Sequence, residues 1–225
     1  MILHFFYKEW IKTRWAFWFN LLFGLACIYG LFTQVDHRMV LMGAKSFELK
    51  VLYQEPLFVY YHWLEFIPLI AGISIGLMQY TPELKDRRFR LAYHLPLDYR
   101  VITLVMMCYG WVAISVLNIC TYGYFTFANI SRMPHEITGP VDQSIMPWFA
   151  TSYIVYNFIA CLVLEPNRKR RLTIGLTAFL ILSCFYQALP YHGYQAVSMP
   201  LATICMIGSF MLVFLSAFRI NKGYC

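Results

Sequence analysis

Charge is scarce in this sequence. Only 13% of its 225 residues are Asp, Glu, Lys or Arg, whereas an average soluble protein has about 25%. Hydrophobic residues make up 60% of the chain, and they gather in long uninterrupted blocks. This distribution excludes an intrinsically disordered chain, a secreted disulfide scaffold and a soluble enzyme with one globular core. The sequence predicts an integral membrane protein.

Sequence signals of catalysis and cofactor binding are also scarce. The chain has no P-loop pattern, so any ATP-driven work must come from a partner chain. Its seven cysteines form no Cys-x-x-Cys pair, which predicts small buried side chains rather than metal ligands. Residues 72–76 formally match the Gly-x-Ser-x-Gly nucleophile pattern. Their place within a predicted helix favours close helix packing instead, so we expect no catalytic residue, metal or cofactor in this chain.

Six apolar blocks are long enough, or nearly so, to cross a bilayer, which takes about 20 residues of helix. They are residues 15–32, 57–80, 101–130, 145–164, 172–189 and 196–218. We therefore predict an all-α, polytopic membrane protein with six transmembrane helices in a single domain, residues 1–225. Residues 2–14 carry apolar side chains at helical spacing and lysines on another face, which predicts an interfacial helix. A frayed tail is the alternative for that segment.

The positions of Lys and Arg predict the orientation, because cytoplasmic loops retain positive charge. With the N-terminus inside, the outer connections hold only Arg38, Lys45, Lys50 and Arg132. All other basic residues are then cytoplasmic, and both termini lie in the cytoplasm. Topology thus accounts for the net charge of +7, and we expect no nucleic-acid partner.

Two ionisable residues, His62 and Glu65, lie three positions apart and therefore share one face of the second predicted span. An ionisable pair within a membrane indicates a substrate or proton site. Their position near the outer end of the span favours an interfacial pair within a belt of aromatic residues.

The predicted spans offer little fixed charge, so uncharged polar side chains are their main polar groups. The main ones are Asn118, Asn157 and Gln187. Such amides either line a transport pathway or tie neighbouring helices together by hydrogen bonds, and the sequence alone leaves both interpretations open.

The connection between the second and third spans, residues 81–100, has the pattern of a short charged helix. Thr81 is suited to cap a helix that begins at Pro82 and ends before Pro96. Such a helix, residues 82–95, is suited to dock a cytoplasmic partner, and a basic helix resting on anionic lipid is the equal alternative. The residues expected to mediate coupling to a partner are Glu83, Asp86, Arg87, Arg88, Arg90, Leu95 and Pro96.

This connection resembles that of the permease subunits of ABC-2 type transporters, in which a cytoplasmic helix led by glutamate ends in Leu-Pro-Leu or a similar tripeptide. Here the helix is led by Glu83 and ends in residues 95–97. The amphipathic start, the six spans and the chain length extend the resemblance over nearly the whole protein. It implies that residues 82–95 are the coupling helix, which contacts a separate ATP-binding subunit, and that residues 2–14 are a connecting helix. It also implies a dimer of permease subunits, with ATP and Mg bound by the partner subunit.

The resemblance implies a permease subunit of an exporter in a bacterial cytoplasmic membrane. The low fixed charge of the spans favours an amphipathic or hydrophobic substrate. Two other classes remain open from the residues alone. One is an integral membrane enzyme with a site at His62 and Glu65, and the other is a non-transporting anchor that recruits a cytoplasmic partner through residues 82–95.

Overall fold

A computed structural model describes residues 2–53, 60–85, 98–186 and 197–221. These ranges are almost entirely helical and contain no β-strand. A 3-10 turn, His62–Glu65, leads directly into the third helix. The α-helices in the described ranges are α1 (Ile2–Met42), α2 (Ala44–Tyr53), α3 (Phe66–Lys85), α4 (Tyr99–Ile130), α5 (His135–Leu164), α6 (Arg168–Phe185) and α7 (Ser198–Asn221).

Within the described ranges, five helical segments are long and apolar enough to cross a membrane. They are His4–Met42, His62–Glu83, Tyr99–Ile130, His135–Leu164 and Met199–Ile220. The chain is therefore an all-helical, multi-pass membrane protein, as the sequence predicts. The remaining predicted span, residues 172–189, falls largely on α6, and its last three residues lie outside the described ranges. The 18 residues of α6 begin with a run of Lys and Arg, so its described apolar part is shorter than a full crossing requires.

Helix α1 differs from the predicted pair of an interfacial helix and a span. It is one unbroken helix of 41 residues, which at 1.5 Å per residue is about 60 Å long. Residues 9–23 contain neither Gly nor Pro, so nothing in the chain interrupts the backbone hydrogen bonds where the predicted division falls. The helix also continues beyond residue 32, the predicted end of the span, to Met42.

Helix α3 extends into the segment predicted to begin a separate helix. Thr81 and Pro82 both lie within α3, which ends at Lys85. Thr81 therefore does not cap a new helix, which corrects that expectation. The rest of the predicted coupling helix lies outside the described residues, including Asp86, Arg87, Arg88, Arg90, Leu95 and Pro96.

Helix α5 is the central helix of the bundle and packs against α3, α4, α6 and α7. Its close approach to α3 depends on two glycines. A Cβ atom on Gly72 would lie 2.5 Å from the carbonyl oxygen of Ser152, and one on Gly76 would lie 2.9 Å from a methyl group of Ile159. Between them, the hydroxyl of Ser74 donates to the carbonyl oxygen of Ile70 at 2.7 Å. The packing interpretation of residues 72–76 is thereby supported.

The bundle has two ends with different buried contacts. One end brings together the start of α1 with the final turns of α3, α5 and α7, and its buried carboxylates are Glu9, Glu83 and Glu165. We call it the charged end. The opposite end packs rings from α1, α2, α4, α5 and the segment before α3, among them Phe32, Phe47, Tyr61, Phe125 and Phe149. We call it the aromatic end.

Candidate functional site

A cluster of opposite charges joins α1 to α3 at the charged end. Glu83, in the last turn of α3, is only 2% exposed, and its Oε1 lies 2.8 Å from Nζ of Lys8. The same carboxylate oxygen contacts Nζ of Lys12, and Lys12 also donates to Oε1 of Glu9 at 2.6 Å. Two carboxylates and two ammonium groups thus balance in charge. We call these four residues the α1–α3 ion cluster.

The sequence builds the cluster from simple spacing. Lys8 and Lys12 are one helical turn apart on α1, so both side chains reach the same turn of α3. The carboxylates of Glu9 and Glu83 are almost fully buried, whereas the side chain of Lys8 is 42% exposed. Removing one partner from a buried pair leaves an uncompensated charge. The cluster therefore holds the start of α1 and the end of α3 in one relative position.

A chain of buried polar groups continues from this cluster into the bundle. The hydroxyl of Thr13 contacts the hydroxyl of Tyr109 on α4. Deeper in the bundle, Nε2 of Gln79 donates to the carbonyl oxygen of Met106 at 2.8 Å, and the hydroxyl of Tyr156 donates to Oε1 of Gln79 at 2.8 Å. These contacts connect α1, α3, α4 and α5 near the same end of the bundle.

A second ionic contact joins α5, α6 and α7 at the charged end. Glu165, which follows the last turn of α5, is fully buried. Its Oε2 accepts hydrogen bonds from Nη1 of Arg219 at 2.9 Å and from the hydroxyl of Ser216 at 3.0 Å. Nη2 of Arg171, in the first turn of α6, donates to the backbone carbonyl oxygen of Glu165 at 2.7 Å. One residue thus connects three helices.

Glu83 is the one predicted coupling residue that lies in the described part of the chain. The sequence predicts that it faces a partner, but its carboxylate is buried against α1. The other predicted coupling residues lie outside the described ranges. In this structure, the carboxylate of Glu83 therefore joins the end of α3 to α1 and is not presented to a docking partner.

His62 and Glu65 lie in the 3-10 turn at the aromatic end. The ring of His62 is exposed and packs beside Trp63, with 5.0 Å between ring centroids. The backbone carbonyl oxygen of Glu65 accepts a hydrogen bond from the hydroxyl of Tyr186 at 3.3 Å. Among the described residues, no group of three or more His, Cys, Asp and Glu could hold a metal ion. Both residues therefore lie at the start of the candidate span His62–Glu83 and not at its middle.

The amides of Asn118 and Asn157 connect helices. Nδ2 of Asn118 donates to the hydroxyl of Ser152 at 2.9 Å and so joins α4 to α5. Oδ1 of Asn157 accepts from Nε1 of Trp111 at 3.0 Å, while its Nδ2 donates to the hydroxyl of Ser209 at 3.0 Å. Both side chains are buried, which favours helix packing over a pathway lining. Gln187 lies outside the described residues.

Sequence reasoning did not single out Glu9, Gln79 or Glu165. A weak signal exists for each carboxylate, because a lone acid beside basic residues at the edge of an apolar block needs a cationic partner once it is buried. Glu9 lies between Lys8 and Lys12, and Glu165 shortly precedes the basic run at the start of α6. Gln79 offers no such signal, since an amide in an apolar block is equally compatible with many neighbours.

Comparisons of the chain with family models, with curated proteins and with solved structures find no match. The functional argument therefore depends on the residues and their geometry. At the charged end, the polar groups described above are mostly engaged with one another across helices. Such an arrangement is suited to hold several helices together as one mechanical unit.

Proposed function

We propose that this protein is the membrane-spanning permease subunit of an ATP-driven transporter of the ABC-2 type, energised by a separate ATP-binding subunit. The proposal includes six spans with both termini in the cytoplasm, a coupling helix over residues 82–95, and a dimer of permease subunits in a bacterial cytoplasmic membrane. The sequence pattern of residues 81–100 supports it. The observation that carries it is the α1–α3 ion cluster.

The cluster gives a physical route for coupling. Glu83 lies at the start of the segment that would contact the ATP-binding subunit, and Lys8 and Lys12 attach it to the start of α1. A push on residues 86–97 would therefore move α3 and α1 together rather than bend α3 alone. ATP hydrolysis belongs to the partner subunit. This chain supplies the transport pathway and the helices that move between two arrangements.

Association with an ATPase is the first test. The tagged protein is purified in mild detergent, and co-purifying proteins are identified by mass spectrometry. A variant with Arg87→Ala and Arg88→Ala is compared with a control variant with Lys169→Ala and Arg170→Ala, which removes the same charge from another connection at the charged end. We expect a P-loop ATPase with the wild type and the control, and its loss from the first variant. A wild-type sample without any ATPase, in a detergent that preserves a known transporter complex, would contradict the proposal.

Glu83 is unsuitable for this test, because its replacement disrupts the ion cluster. A loss of docking could then not be distinguished from a loss of folding.

A measurement of nucleotide turnover distinguishes a transporter from a non-transporting anchor. In proteoliposomes that contain both subunits, we expect ATP hydrolysis to drive movement of an amphipathic probe. Binding of the ATPase without any change in its turnover would favour the anchor, and transport of charged solutes alone would contradict the proposed substrate class.

A further inference from the structure

Helix α6 has little contact with the rest of the described protein. Of its 18 residues, only Ala178 and Phe185 are buried. The buried side packs on α5 and α7 through a small apolar cluster. Most of the circumference of α6 is therefore available to a partner or to lipid.

One exposed face of α6 combines a basic start with an apolar stripe. Leu172, Leu176 and Phe179 are 65%, 55% and 70% exposed, and their spacing of four and three residues places them on one face. Arg168, four residues before Leu172, begins the same face and is also exposed. From Arg168 to Phe179 the helix rises about 16 Å, which is close to half of a hydrocarbon core of about 30 Å. With Arg168 at the level of the headgroups, the stripe therefore fits within one lipid leaflet.

The basic residues at the start of α6 are not balanced by the described protein. Arg171 donates to the carbonyl oxygen of Glu165, whereas the exposed side chains of Arg168, Lys169 and Arg170 have no ion pair or hydrogen bond with any described residue. The first turn contains no acidic residue. Cations at this position oppose the positive end of the helix dipole, and the nearby carboxylate of Glu165 is already bound to Arg219. A bound anion would offset this excess of positive charge.

We propose that the start of α6 binds the phosphate group of an anionic phospholipid, with an acyl chain lying along Leu172, Leu176 and Phe179. A soluble anion would use the basic residues but not the apolar stripe. A second copy of this chain, placed with its α6 parallel to the first, would bring two basic segments together and repel. A zwitterionic lipid would fill the stripe without balancing the charge. The anionic lipid satisfies both parts of the surface.

Native mass spectrometry of the purified protein in mild detergent tests this site. Phosphatidylglycerol and phosphatidylcholine with identical acyl chains are added in equal amounts, and the bound lipid is counted. We expect the wild type to retain phosphatidylglycerol in preference to phosphatidylcholine. A variant with Arg168→Gln and Arg170→Gln should reduce this preference about tenfold, because each basic residue near the membrane surface contributes to anionic lipid binding.

Two further variants keep the result specific. A control with Arg14→Gln and Arg100→Gln removes the same charge at the same end, and it should retain the preference. A variant with Leu172→Ser and Leu176→Ser keeps the basic residues, and it should retain less of either lipid. Equal loss in the control, or no preference in the wild type, would overturn the proposal. A wild-type dimer that the Leu172→Ser, Leu176→Ser variant converts to a monomer would also overturn it, in favour of a second copy.

Discussion

The two ends of the helix bundle are held together by different kinds of contact. At the charged end, Glu83 and Glu165 are buried and depend on cations from other helices. At the aromatic end, the hydroxyl of Tyr60 donates to Oδ1 of Asn129 at 2.7 Å, and the hydroxyls of Tyr61 and Ser144 lie 2.6 Å apart. A neutral hydrogen bond contributes about 1 kcal/mol, whereas loss of one partner from a buried ion pair costs about 3 to 5 kcal/mol.

The two ends also differ in how much their ion pairs contribute to stability. An ionic contact at the charged end that breaks leaves a buried charge without a partner. These contacts therefore hold the helices at the charged end in one relative position. The aromatic end also has an ion pair, in which Nε of Arg132 lies 2.9 Å from Oδ1 of Asp36, but these side chains are 34% and 48% exposed. Such an exposed pair contributes little. At the aromatic end, α1 and α4 are therefore joined mainly by apolar packing, with 5.6 Å between the ring centroids of Phe32 and Phe125.

The largest expected effect comes from removing the shared carboxylate of the α1–α3 ion cluster. Glu83→Gln leaves Lys8 and Lys12 facing an uncharged amide, and we expect it to lower the free energy of unfolding by about 3 to 5 kcal/mol. Thermal unfolding in mild detergent, followed by size-exclusion chromatography, measures the change. Lys8→Gln is the matched control. It should change stability by less than about 1 kcal/mol, because Lys8 is 42% exposed and Glu83 keeps Lys12.

A charge exchange sharpens that prediction. The double variant Lys12→Glu, Glu83→Lys restores an opposite pair across α1 and α3 and should recover part of the lost stability. An unchanged unfolding temperature for Glu83→Gln alone would show that the charged end does not depend on its ion pairs.

A smaller loss is expected at the second ionic contact. We expect Glu165→Gln to cost about 2 to 3 kcal/mol, since Arg219 is 30% exposed and can reach water, while Ser216 can still donate to the amide oxygen. Glu136, in the first turn of the same helix, is exposed. Glu136→Gln is therefore the control, and the unfolding temperatures of the two variants should differ by several degrees. Equal unfolding temperatures for the two variants would show that the carboxylates of Glu165 and Glu136 contribute equally to stability.

Between the two ends, the contact of α3 with α5 depends on the absence of a side chain at Gly72. Gly72→Ala forces a Cβ atom to within 2.5 Å of a backbone oxygen unless the helices separate, and we expect a cost of about 1 to 2 kcal/mol. The Cβ of Gly123→Ala would meet nothing within 4 Å, so this control should unfold at the wild-type temperature or slightly higher. If both variants unfold alike, the close approach of α3 and α5 does not limit stability.

The smallest effect is expected at the aromatic end. Tyr60→Phe removes one neutral hydrogen bond to the buried side chain of Asn129 and should cost about 1 kcal/mol. Tyr29 is 64% exposed, so Tyr29→Phe should leave the unfolding temperature unchanged. A loss for Tyr60→Phe as large as that for Glu83→Gln would remove the distinction between the two ends.

Much of the helical framework was predictable from the sequence. The predicted span 101–130 corresponds to α4 over Tyr99–Ile130, and residues 196–218 correspond to α7 over Ser198–Asn221. The continuity of α1 and the extension of α3 beyond Thr81 were not predicted. A hydrophobicity pattern predicts where a helix enters the membrane, but it does not predict where the helix ends. A helix such as α1 or α3 continues beyond that point when no residue interrupts it and a neighbouring helix binds its polar side chains.

The candidate site was predictable only in part. Glu83 stands out in the sequence because it begins a charged segment after an apolar block. From the sequence alone, Glu83 is predicted to face a partner. The structure instead pairs it with Lys8 and Lys12, more than seventy residues away in the chain. Spacing along one helix identifies which side chains share a face, but it does not identify which other helix that face meets.

The sequence by itself determined that the chain is helical and crosses a membrane several times, because the length and polarity of each segment decide its transfer from water to lipid. It also determined where positive charge accumulates. Only the tertiary structure decided which charges balance one another, since the pairing of Glu83 with α1 and of Glu165 with α7 depends on how helices pack. That packing is fixed by contacts between distant residues, above all the close approach at Gly72, rather than by the local pattern of any one segment.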